Sequence, residues 1–144
     1  MEKLRKMLEN QRQSEKLEAE RVSQFVAETK KFESNFKTCQ KKVIRPEFDK
    51  ASKHFEDQGC IVTLSKNLET FSIEEELFTD TDVLDVDVNG EDYRIWVYAE
   101  VYNHKIVIET KHGSTRTKKQ FSSVEISPEI LEEIIMDGYL EAIR

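Results

Sequence analysis

Residues 83–111, VLDVDVNGEDYRIWVYAEVYNHKIVIETK, decide the fold. Asn89-Gly90 stands between two runs of alternating apolar and polar residues, and this dipeptide supplies the two φ > 0 positions of a type I′ turn. A two-residue connection fixes the pairing: Val88 opposite Glu91, Val86 opposite Tyr93 and Leu84 opposite Ile95, with Asp85 opposite Arg94 and Val83 opposite Trp96 on the other face. Asn103-His104 reads as a second two-residue turn, which sets Val101 against Ile106 and Ala99 against Ile108. The expectation is a β-meander with one continuous apolar face for helices to pack on. The other face is mixed: Asp85, Asp87, Arg94, Trp96, Tyr98, Glu100, Tyr102, Lys105, Val107, Glu109 and Lys111.

N-terminal to the meander, Lys3 to Gln40 contains no Gly or Pro and is rich in Glu, Lys, Gln, Arg, Leu and Ala, which predicts a long helix. Val22, Phe25, Thr29, Phe32, Phe36, Cys39 and Val43 follow alternating spacings of three and four, so the second half of this helix buries a face. Phe is bulky for a dimeric coiled-coil seam, so the stripe is expected to pack on the sheet or on another helix, and the first twenty residues to project. Pro46 and Gly59 bracket a second helix, Pro46 to Gln58, with the long helix kinking at Pro46 or ending before it. Cys60 to Ser65 reads as a strand. Residues 66–82 support either a short strand or a helical turn around Phe71, Ile73, Leu77 and Phe78.

C-terminal to the meander, His112 to Lys119 reads as a polar loop and Gln120 to Ile126 as a last strand. Ser127-Pro128-Glu129 is a helix start, with Ser as N-cap and Pro in the first turn. Gly138 inside this helix signals either a close backbone approach or an early end. The fold class is therefore α+β: a long N-terminal helix, a second helix, four or five antiparallel strands and a C-terminal helix.

Composition bounds the function. The 144 residues amount to one domain plus an appendage. Residues 1–45 carry 12 Lys/Arg against 7 Asp/Glu, a net +5, whereas 46–144 carry 10 against 22, a net −12. This divides the chain into a basic helix (1–45) and an acidic α+β domain (46–144), and points to docking of one on the other or on an acidic partner. No apolar run has the length to span a bilayer, and Met1 opens a charged segment without the core of a signal peptide, so no membrane role and a cytoplasmic location are expected. Cys39 and Cys60 are isolated, which indicates neither a disulfide framework nor a zinc site.

Three candidate sites emerge. Asp85-Val-Asp-Val-Asn-Gly-Glu91 matches the first half of an EF-hand loop, but the twelfth position is Trp96 and the flanks alternate like strands, so a hairpin is the expectation. What survives is the opposition of Asp87 and Asp92 across the hairpin, a weak metal possibility. Second, Arg94, Trp96, Tyr98, Tyr102 and Lys111 on the mixed face have the character of a partner-binding surface: aromatic rings with polar handles, set among charges. Third, Lys111, His112, Arg116, Lys118 and Lys119 form a basic cluster that would suit an anion or nucleic acid, although no phosphate loop accompanies it. His54, His104 and His112 lack the spacing of a nucleophilic or metal motif, and His104 reads as a turn residue. No cofactor is implied. These features favour a non-enzymatic protein-interaction module, a small acidic adaptor or chaperone-like protein that forms a homo-oligomer through its N-terminal helix. The alternative is a nucleic-acid-associated accessory protein using the basic helix and the 111–119 segment.

Overall fold

The computed structural model describes residues 1–71 and 77–144. The N-terminal helix α1 spans Glu2–Cys39, and α2 spans Arg45–Asp57. They are joined without a break by a π-helical turn, Gln40–Ile44, in which the Arg45 N–H donates to the Gln40 carbonyl, five residues back. The sequence led us to expect a kink or a stop at Pro46. Instead the wider turn lets the chain run through: a proline ring would strike the carbonyl four residues earlier in a regular helix, and one extra residue in the turn makes room for it. Gly59, at φ +85°, ends α2, where the Cys60 N–H donates to the Phe55 carbonyl at 2.9 Å.

Five antiparallel strands follow in the order β1-β2-β3-β4-β5: β1 Ile61–Phe71, β2 Leu77–Val88, β3 Glu91–Glu100, β4 Lys105–His112 and β5 Thr115–Phe121. The β2–β3 register is the expected one, residue for residue, from Val83 opposite Trp96 to Val88 opposite Glu91. Asn89 and Gly90 have φ of +54° and +88°. Of the stretch 66–82, Phe71 lies on β1, Leu77 and Phe78 lie on β2, and Ile73 falls outside the described residues.

Two expectations need correction. The β3–β4 connection has four residues, a 3-10 turn over Val101–Asn103 closed by His104 at φ +54°, so Glu100 pairs with Lys105 and Ala99 with Ile106. The register is displaced by two residues, which preserves the faces but moves Val101 from the apolar face into an exposed turn. Likewise the polar segment 112–119 is mostly strand: Gly113, at φ +58°, turns the chain, and β5 begins at Thr115 and ends at Phe121, where a strand had been expected to begin at Gln120. Its lysines suit an edge strand, which must discourage pairing with other chains.

The last helix, α3 (Pro128–Ala142), is capped by the Ser127 hydroxyl, which accepts from the Ile130 N–H at 3.2 Å, and runs through Gly138 without a break. The core lies between the helices and the expected sheet face, with Phe48 and Phe55 of α2, Leu131 and Ile135 of α3, and Leu84, Val86, Tyr93, Ile95, Val97, Ile106 and Ile108 of the sheet. Phe32, Phe36 and Cys39 of α1 and Ile44 of the π turn belong to it, so this part of the stripe packs in cis, whereas Val22 and Phe25, expected on the same buried face, are 58% and 46% exposed because the domain does not reach that far along the helix. Burying each Phe contributes roughly 2–3 kcal/mol, which holds the second half of α1 down. Residues 1–28 are exposed throughout. No helix among the described residues is long and apolar enough to cross a membrane.

Candidate functional site

Strand pairing sets the mixed face in rows. One row runs Thr63, Asp85, Arg94, Lys111, Arg116, and the next Ser65, Val83, Trp96, Glu109, Lys118; beyond them Tyr98, Val107 and Gln120 align. α1 does not cover this face, because Phe32 and Phe36 join the core on the opposite side. Even so, Val83, Tyr98, Glu100, Val107 and Glu109 are buried.

Buried carboxylates need partners, since an isolated charge is costly to desolvate. Glu109 accepts the Tyr98 hydroxyl at 3.1 Å and the Arg116 guanidinium at 2.9 Å. Glu100, 2% exposed, accepts Gln120 at 2.9 Å, with Lys118 at 3.4 Å. Burial works against ionisation of Glu100, but hydrogen bonds from Tyr102, Gln120 and Lys118 outweigh it and hold the carboxyl below its ordinary pKa. Burial and the neighbouring Glu109 push the Tyr98 phenol well above its usual range, so Tyr98 keeps its proton and donates it to Glu109.

Trp96 sits half-buried in this frame. The guanidinium carbons of Arg94 and Arg116 lie 5.8 and 5.5 Å from its ring centroid, within cation–π range, while Arg94 is anchored by Asp85 at 2.5 Å. Lys111, between the two arginines in the row, is exposed. The structure thus brings Arg94, Trp96, Tyr98 and Lys111 together. Tyr102 stands apart, 65% exposed on the 3-10 turn and connected to the frame through Glu100.

The basic cluster is divided by strand alternation. Lys111, Arg116 and Lys118 lie on the mixed face, whereas His112 and Lys119 share the face of Tyr93 and Ile108. Arg116 is engaged by Glu109 and Lys118 by Glu100, and the His112 ring meets Glu91 at 2.8 Å. A cleft of about 560 Å³ at the hairpin tips is lined by Arg94, Lys111 and His112 but also by Glu91 and Asp92, so its sign is mixed. Asp87 and Asp92 do oppose each other, and the Asp87 carboxylate accepts the Gly90 N–H at 2.7 Å, which makes it part of the turn. Among the described residues no three His, Cys, Asp or Glu side chains group as metal ligands would.

One tertiary contact escaped the sequence. His104 stacks on Phe25 and Phe32, with centroids 5.2 and 5.5 Å away, and its Nε2 meets the Thr29 hydroxyl at 2.8 Å. This clasps the β3–β4 turn to α1 where the helix leaves the domain. The only local hint is a histidine in a position that needs φ > 0. No protein-family model, curated protein or solved structure matches the chain.

Proposed function

We propose that this chain is a non-enzymatic interaction module, a small acidic adaptor or chaperone-like protein that assembles through its helical arm and offers the Trp96 face to a protein partner. The carrying observation is that residues 2–28 form a continuous helix with every residue exposed, while the same helix continues into the core. A polar helix of this length has no packing to stabilise it in isolation, and helical stability in proteins comes mostly from such packing. The half-buried Trp96, ringed by Arg94, Arg116 and exposed Lys111, has the aromatic and arginine character of an interface hot spot. A nucleic-acid role has less support, because Arg116, Lys118 and His112 are engaged by carboxylates of the protein itself.

Light scattering after size exclusion tests the assembly, comparing the full chain with one that begins at Phe25 and so keeps the His104 clasp. The expected result is an oligomeric full chain and a monomeric, folded truncation; a full chain that stays monomeric at 100 μM refutes the assembly.

A further inference from the structure

The exposed arm carries the same apolar triplet twice. Leu4, Met7 and Leu8 recur eighteen residues later as Val22, Phe25 and Val26, and all six are between 46% and 68% exposed. Eighteen residues are five helical turns, so the two triplets lie on one face of α1, about 27 Å apart. Between them that face is polar, with Gln11, Glu15 and Glu18. The body of the protein covers the helix only from Thr29 onward, where the His104 turn begins.

We infer that this face is covered by the arm of a second copy of the chain, running antiparallel, so that the first triplet of each helix docks on the second triplet of the other. This rests on the assembly reading above and specifies its geometry. A two-fold axis near Glu15 sets Leu4 level with the partner's Val26 and Leu8 level with the partner's Val22, the self-complementary arrangement that a two-fold interface requires. The same axis sets Arg12, at the edge of this face, level with the partner's Glu18, so opposite charges meet there. Glu15 is the single interface residue level with itself, with Arg12 and Lys16 within one turn. In a parallel pair every residue is level with its own copy, which brings both Glu15 and Glu18 against like charge, and crowds two sheet domains at one end. The antiparallel pair holds the domains at opposite ends. It also stops the partner's helix at the β3–β4 turn, beside Val101 and Tyr102, which are 41% and 65% exposed.

Charge complementation tests the orientation on the full chain. Leu8→Glu and Val22→Lys each place a charge in the interface, and because both positions are solvent-exposed, circular dichroism and the denaturation midpoint should match the native protein. By sedimentation velocity the native chain is expected to be a dimer. Each variant alone should weaken association at least tenfold. An equimolar mixture of the two should regain dimer, since the carboxylate introduced on one chain then faces the ammonium introduced on the other. A dimeric native chain whose variants do not complement, or whose dimer ignores Leu8→Glu, overturns the antiparallel pairing and leaves the assembly reading standing. A monomeric native chain overturns both.

Discussion

The ring of Tyr93 lies across the backbone of Gly138: a Cβ built on that glycine would fall 2.6 Å from the nearest ring carbons and closer still to the phenolic oxygen. The Tyr93 hydroxyl crosses α3 there to donate to the Ile135 carbonyl at 2.9 Å. Glycine is therefore required by packing, although it costs the helix about 1 kcal/mol relative to Ala. Gly138→Ala is expected to destabilise the protein by about 1–3 kcal/mol, because overpacking exceeds the gain in helix propensity. Urea denaturation checks this, and the penalty should shrink when Tyr93 is first changed to Leu, since the two residues are in contact.

Asp82 is fully buried, and Gln40 and Arg45, five residues apart across the π turn, both reach its carboxylate at 3.4 Å. Gln40 also donates to the Asp80 carbonyl at 2.6 Å. The turn thus aims both side chains at one acceptor. Asp82→Ala removes it and should cost about 1–3 kcal/mol in chemical denaturation, because buried Gln40 and partly buried Arg45 both lose this acceptor. Asp82→Asn, which retains an oxygen, should cost less.

The carboxyl of Glu100 titrates below its ordinary value in the folded protein. A depressed folded pKa means that the unfolded chain takes up protons first, so Glu100 stabilises the fold above the unfolded value of about 4.3 and loses that contribution as pH falls through the folded value. Comparing unfolding free energies of the native protein and Glu100→Gln across pH 2–7, the difference should be largest at neutral pH, about 1–2 kcal/mol. It should shrink on acidification below pH 4.

Burial pushes the Cys39 thiol up to about 11. At pH 8 only about one part in a thousand is then thiolate, the reactive form. Alkylation followed by mass spectrometry should modify Cys60, which is partly exposed, at least tenfold faster than Cys39. Phe36→Ala, which loosens the docked half of α1, should narrow that gap.

Trp96 is the sole tryptophan, so its fluorescence reads the mixed face directly. Arg116→Ala removes one cation from the ring and one partner from Glu109. The expected result is stronger acrylamide quenching and a red-shifted emission, with a stability loss of about 1–2 kcal/mol. Lys111→Ala, at an exposed position, should leave both unchanged.

Wherever the decisive interaction is local, the sequence by itself determined the outcome. Asn89-Gly90 meets the backbone demand of its turn within two residues, so the β2–β3 register followed with every partner in place, and Ser127-Pro128 started α3 for the same reason. The three-and-four spacing of Phe32, Phe36 and Cys39 marked the buried face of α1, because helical periodicity is a property of the chain alone. Of the residues read as a partner-binding surface, Arg94, Trp96 and Tyr98 share one face of β3 by strand alternation alone, whereas Lys111 comes opposite Arg94 only through the β3–β4 register that the tertiary structure set. The tertiary structure decided the rest. His104 takes φ > 0 where Phe25, Thr29 and Phe32 clasp it, and this lengthens the β3–β4 turn and moves Tyr102 off the sheet. β5 has no apolar alternation of its own and becomes a strand by pairing with β4, with Glu109 and Glu100 drawing its Arg116 and Lys118 onto the mixed face. The π turn exists because Pro46 must be accommodated while Phe36 and Phe48 both stay in one core. Each of these is a contact between residues far apart in sequence, whose free energy exceeds the small local preferences that a sequence displays.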